Sequence, residues 1–128
     1  MRRVGCRQPY RQPPGPARLG TINIAVRVSA GLTEAALVEA LTIAAQARTA
    51  AVMEARWSLP EGVATGTGTD CIALAAPMEG HGETVAFAGL HTEVGEALGR
   101  AVYDAVARGA DNWLATRPDL GPAPCVSK

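Results

Sequence analysis

A chain of 128 residues, 48% hydrophobic and 19% charged, makes one domain at the small end of what a single buried core supports and leaves little room for a second. Its mean hydropathy of +0.08 and the lack of a run of about 18 apolar residues argue against a membrane span, while 4% aromatics with 14 glycines and 9 prolines call for a core of Ala, Val, Leu and Ile on closely approaching backbones rather than an all-β sandwich. The zero net charge hides five arginines and no acid within residues 1–18, leaving seven basic against twelve acidic residues beyond them, so no basic stripe suits a phosphate backbone and neither nucleic acid nor a membrane is an expected partner.

Residues 1–19 contain Pro9, Pro13, Pro14 and Pro16 without apolar periodicity, the composition of a disordered leader. They lack the apolar h-region of a secretory signal. From Gly20 the pattern changes. In TINIAVRVS the residues Ile22, Ile24, Val26 and Val28 alternate with Thr21, Asn23, Ala25, Arg27 and Ser29, which predicts a strand buried on one side. After Gly31, Thr33 is a good N-cap and Glu34 sits where the helix dipole favours an anion, so a helix is predicted from Glu34 to Arg56, with Val38, Leu41, Ala45 and Val52 as its core stripe.

Beyond the SLPEG turn, VATGTGTDCIALAAP reads as a second strand holding ATGTGTD at the centre of the sheet, with CIALAA buried on both faces. Residues 77–90 read as a loop with a short strand at Thr84–Ala88. A second long helix is capped by Thr92, carries Glu93 and Glu96 in its first turn, and is expected to end at Arg108 and Gly109. The expected fold is α/β, a small sheet packed with two long helices in the order β-α-β-loop-α. Its domain spans residues 20–113, and residues 114–128 form a flexible tail.

The candidate chemistry centres on ATGTGTD, residues 64–70. As an extended strand it would present Thr65, Thr67 and Thr69 on one face and leave the face of Gly66 and Gly68 bare, so that a ligand or another backbone could approach. It is neither a P-loop nor a dinucleotide fingerprint. Asp70, just before a buried apolar run, must be hydrogen-bonded or have its proton affinity raised, and both an active site and a structural turn need such a carboxylate. His91 precedes the cap of the last helix, where the dipole keeps an imidazole neutral and usable as a base; a loop histidine at a helix entrance is the plain alternative. Asn23 lies on the polar face of the first strand, as an oxyanion or ligand donor or simply a solvated residue. Cys6, Cys71 and Cys125 form no CxxC pair, which suits a reducing, cytoplasmic compartment. With two histidines, no HxxxH spacing supports a metal, and no metal or cofactor is expected.

Together GTINI, the AAQARTAAV stretch, ATGTGTD and HTEVGEALGRAVYDAV resemble the adenosylcobinamide amidohydrolases, in family order over about residues 20–110. The resemblance implies hydrolysis of the linear C–N amide joining aminopropanol to the corrin ring of adenosylcobinamide, giving adenosylcobyric acid for cobamide salvage, with a corrinoid as the small-molecule partner. The family has a substantial portion before GTINI, so this chain is expected to be a C-terminal portion, completed by a homo-oligomer or by a partner supplying the N-terminal half. Where the family often has Glu-Ala-Lys this chain has Gln46, Ala47 and Arg48, so no carboxylate role carries over to Gln46. The implied catalytic set is Asp70, His91 and Thr67, with Asn23, Thr65, Gly66, Gly68, Thr69 and Thr92 toward the substrate. Either Asp70 or His91 activates water, or a threonine hydroxyl attacks. A non-catalytic corrinoid-binding or assembly subunit and an inactive fragment are the other open classes. Asp70→Asn is expected to cost turnover more than folding.

Overall fold

The computed structural model describes residues 21–59, 62–77 and 83–116, so the leader 1–19, His81, Cys6, Cys125 and the tail from 117 lie outside the described residues. The architecture is mixed α/β. Strand β1 (Asn23–Arg27) leads through β2 (Gly31–Leu32) into α1 (Glu34–Glu54); β3 (Ser58–Leu59), β4 (Gly62–Val63), β5 (Cys71–Ala75) and β6 (Thr84–Val85) follow, and α2 (Glu93–Ala115) closes the fold. β1 pairs in parallel with β5, Asn23 opposite Cys71 and Arg27 opposite Ala75, with α1 as the crossover that a parallel pair needs. β2 pairs in parallel with β6, and β3 with β4 antiparallel.

The alternation in β1 is realised: Ile24 and Val26 turn inward, and Asn23, Ala25 and Arg27 are exposed. β5 behaves the same way. Cys71, Ala73 and Ala75 are exposed and only Ile72 and Leu74 turn inward, which corrects the expectation of a strand buried on both faces. Among the described residues the strands form three separate pairs and β5 has a neighbour on one side only, so it is not a central strand there.

The ATGTGTD string is also not a strand. Residues 64–67 have no regular structure and 68–69 form a turn. The reason is local: the Asp70 carboxylate takes the backbone N–H and the hydroxyl of Thr67, and a side chain that captures backbone donors three residues away competes with the ladder. The alternation of Thr and Gly across two strand faces therefore does not arise.

Both helices begin as expected. The Thr33 hydroxyl accepts from Ala36 N and that of Thr92 from Gly95 N, at 3.2 and 3.0 Å. α1 buries Ala36, Ala40, Ile43, Ala44 and Ala51, whereas Val38 is 57% and Leu41 36% exposed and Val52 is only half-buried. The core stripe is thus the alanine face rather than Val38 and Leu41. Small side chains let α1 lie close to Leu98, Val102 and Val106 of α2, and that approach outweighs the area two larger residues would have buried. By length and composition alone α1 could cross a bilayer; its alanine face packs into the domain. α2 does not stop at Gly109. It continues to Ala115, where Trp113 meets Trp57 edge-on at 6.2 Å between ring centroids, a contact worth about the 1 kcal/mol that a mid-helix glycine costs.

Candidate active site

Asp70 is the best-held polar group among the described residues. Its Oδ2 accepts from Arg48 Nη1 and from Thr67 N at 3.0 Å; its Oδ1 accepts from the Thr67 hydroxyl and from Ile22 N at 3.2 Å. Four donors fill the four lone-pair sites of a carboxylate. The side chains of Asp70 and Arg48 are 9% and 18% exposed, so solvent screens this ion pair little. Arg48 is held through one nitrogen, and among the described residues its Nε–H is buried without a partner, at a cost of about 1–3 kcal/mol.

Each segment is shaped around this pair. A Cβ at Gly66 would collide with Arg48 Nη1 and stand 2.6 Å from Asp70 Oδ2, so Gly66 makes room for the ion pair rather than for a ligand. Gly68 differs: nothing lies within 4 Å of its Cβ position, and the chain there is exposed. Thr21 bonds Thr69 through its hydroxyl, to the carbonyl at 2.9 Å and to the Thr69 hydroxyl, and Cys71 N donates to Ile22 O at 3.0 Å. The loop is thereby tied to the start of β1. Thr65, Thr69 and Asn23 are exposed around it, Asn23 through its register with Cys71.

His91 and Thr92 sit elsewhere. α1 runs from the C-terminal end of the parallel strands, where Glu39 accepts from Ala88 N at 2.7 Å, back to their N-terminal end, where Arg48 meets Asp70. Nine residues of helix at about 1.5 Å each separate those anchors by roughly 13 Å. The exposed His91 ring lies against Gly89, where an added Cβ would stand 2.9 Å from it, at the Ala88 end. The Thr92 hydroxyl is engaged by the cap and by Gly89 O at 2.8 Å. The structure thus brings together Thr67, Asp70, Gly66 and Thr69 and keeps His91 and Thr92 apart from them. A shallow groove along α1, lined by Ala45, Gln46, Thr49, Ala50 and Met53, is separate from Asp70. Among the described residues no three His, Cys, Asp or Glu side chains gather as a metal site.

Arg48 was not among the residues singled out from sequence. The sequence marks it only as the one basic residue of α1; its place on the buried alanine face, four residues after Ala44 and three before Ala51, where a cation demands an acidic partner, comes from the packing. Chemically the arrangement offers a hydroxyl, Thr67 Oγ1, bonded to a carboxylate whose other oxygen is held by a cation, beside an open stretch of backbone at Gly68.

A family model described as adenosylcobinamide amidohydrolase matches residues 2–118. An uncharacterized protein of Methanocaldococcus jannaschii is 37% identical over 91 residues, covering 69% of this chain and 34% of that relative. The chain therefore spans about a third of the length of the curated relative it matches. No solved structure matches.

Proposed function

The chain belongs to the adenosylcobinamide amidohydrolase family, and from that premise we propose that it hydrolyses the amide linking aminopropanol to the corrin ring of adenosylcobinamide, yielding adenosylcobyric acid for cobamide salvage. The observation that carries this reading is the Thr67 hydroxyl donating to Asp70 Oδ1, a nucleophile and a base within reach with the base held by a third group.

Because all four acceptor positions of Asp70 are filled, the protic nucleophile it already holds is Thr67, and this favours threonine attack over a water on Asp70. Thr67 Oγ1 bonds to the amide carbon as its proton passes to Asp70. Backbone N–H groups of the open stretch at Gly68 are the proposed donors to the oxyanion. Collapse breaks the C–N bond, and the nitrogen leaves with that proton as aminopropanol. Water then cleaves the ester, restoring the hydroxyl and releasing the corrin acid. Asn23, Thr65 and Thr69, exposed at the same end, are the proposed contacts to corrin amides. His91 and Thr92, some 13 Å away along α1 by helix rise, serve only a remote part of a substrate of corrin size. A cytoplasmic, reducing setting suits the exposed free thiol of Cys71.

A second reading, a corrinoid-binding subunit without turnover, is favoured by that same saturation of Asp70, since a carboxylate with four donors is also what anchors a loop. Incubation with adenosylcobinamide and separation of products distinguishes the two. Release of aminopropanol, its loss in Thr67→Ala, its retention in Thr67→Ser and a covalent corrinoid adduct at Thr67 by mass spectrometry support hydrolysis. Binding without release of aminopropanol overturns it in favour of the second reading.

A further inference from the structure

We propose that Arg48 is a positioning residue that acts on Thr67 through Asp70. The inference rests on the reading of Thr67 as nucleophile. Three independent features converge on it. Arg48 places a guanidinium on the alanine face of α1, where its side chain is 18% exposed, a position that packing alone would fill with another small residue. It reaches Asp70 through Nη1 only, and among the described residues Nε stays buried without a partner. The contact therefore fixes where one carboxylate oxygen lies; it does not maximise hydrogen bonding. Gly66 is the third feature, because any side chain there would displace this pair.

The geometric consequence follows from the rigidity of a carboxylate. With Oδ2 held between Arg48 Nη1 and Thr67 N, the plane of the group is set and Oδ1 is turned to the Thr67 hydroxyl and Ile22 N. Arg48 lies on α1 and Ile22 just before β1, so the acceptor for the Thr67 proton is located by the helix and the strand pair together. A loop of threonines and glycines would not hold it there by itself, and an acceptor misplaced by about 1 Å loses the reaction about 100-fold.

The test uses the full chain with adenosylcobinamide and the variants Arg48→Met, Arg48→Lys, Asp70→Asn and the double variant Arg48→Met/Asp70→Asn. Arg48→Met is expected to lower kcat by about 100-fold with KM held within about threefold. Arg48→Lys restores kcat to within about tenfold of wild type, since one nitrogen makes the contact. Arg48→Met adds no more than about twofold to the loss in Asp70→Asn, because a residue acting through Asp70 has nothing left to position. Losses that multiply in the double variant, or a lysine no better than methionine, overturn the proposal. The hydrolytic reading fails separately, by absence of aminopropanol release from wild type. The positioning claim is then read from amide exchange. Thr67 and Ile22 N–H, both accepted by Asp70, exchange at least about tenfold faster in Arg48→Met while Val102 in α2 keeps its protection. Unchanged exchange at Thr67 and Ile22, or equal acceleration at Val102, overturns it.

Discussion

Asp70→Asn keeps the shape of the side chain and replaces one acceptor oxygen by an NH2 group. With that group at the Oδ2 position it faces Arg48 and Thr67 N–H, two donors that cannot turn away. At the Oδ1 position it faces Ile22 N–H and the Thr67 hydroxyl, and the hydroxyl can rotate to accept. The second orientation is favoured, and it leaves Ile22 N–H opposed by a donor while turning the Thr67 proton away from any base. The bond from Arg48 then joins a cation to a neutral oxygen instead of an anion, costing about 1 kcal/mol, and the unsatisfied Ile22 donor costs about 1–3 more. A total loss of about 2–4 kcal/mol stays below the ceiling for breaking a buried pair outright. It corresponds to a fall in Tm on the order of 10 °C, so Asp70 matters to folding as well as to turnover. Urea unfolding of wild type and variant at unchanged m-value measures the first, and aminopropanol release per folded protein the second, with a fall of about 10²–10⁴-fold expected. A stability change under about 1 kcal/mol would refute the four-donor account; full turnover in the folded variant removes Asp70 from the chemistry.

Two glycines of α2 respond oppositely to the same change. Gly95→Ala puts a Cβ into the backbone carbonyls of Ala88 and Gly89, so the helix must move and stability falls by about 1–3 kcal/mol despite the better propensity. Gly109→Ala meets nothing within 4 Å and stabilises by about 0.5–1 kcal/mol; thermal unfolding showing the same sign for both contradicts the packing described. The hydroxyl of Tyr103, bonded to Glu54, has its pKa raised, chiefly by that hydrogen bond and then by burial and the charges of Glu54 and Asp104. The folded state therefore retains its proton longer, so the contribution is fully present below about pH 10, the ordinary tyrosine value, and is lost as pH rises through the higher folded value. Tyr103→Phe flattens that alkaline fall, measured as the urea midpoint against pH, and an unchanged slope refutes the assignment.

Local chemistry dictates those parts of this protein that can be read without its packing. Thr33 and Thr92 cap because a hydroxyl before a helical run satisfies its first N–H groups, and the alternation from Asn23 to Arg27 allows one buried face whatever it packs against. The motifs legible in ATGTGTD and HTEVGEALGRAVYDAV were enough to resemble the family that the chain belongs to. Packing selects which of several available faces or partners each residue takes. α1 is apolar nearly all round, so periodicity could not choose between Val38 with Leu41 and the alanine face; the close approach of α2 chose the alanines. The Thr-Gly string alternates like a strand, yet Asp70 draws Thr67 onto itself and Arg48 arrives from 22 residues away in sequence to hold Asp70 in place. A long-range pair between half-buried charges overrode a local pattern because an unpaired guanidinium on that face would cost more than the strand hydrogen bonds could return.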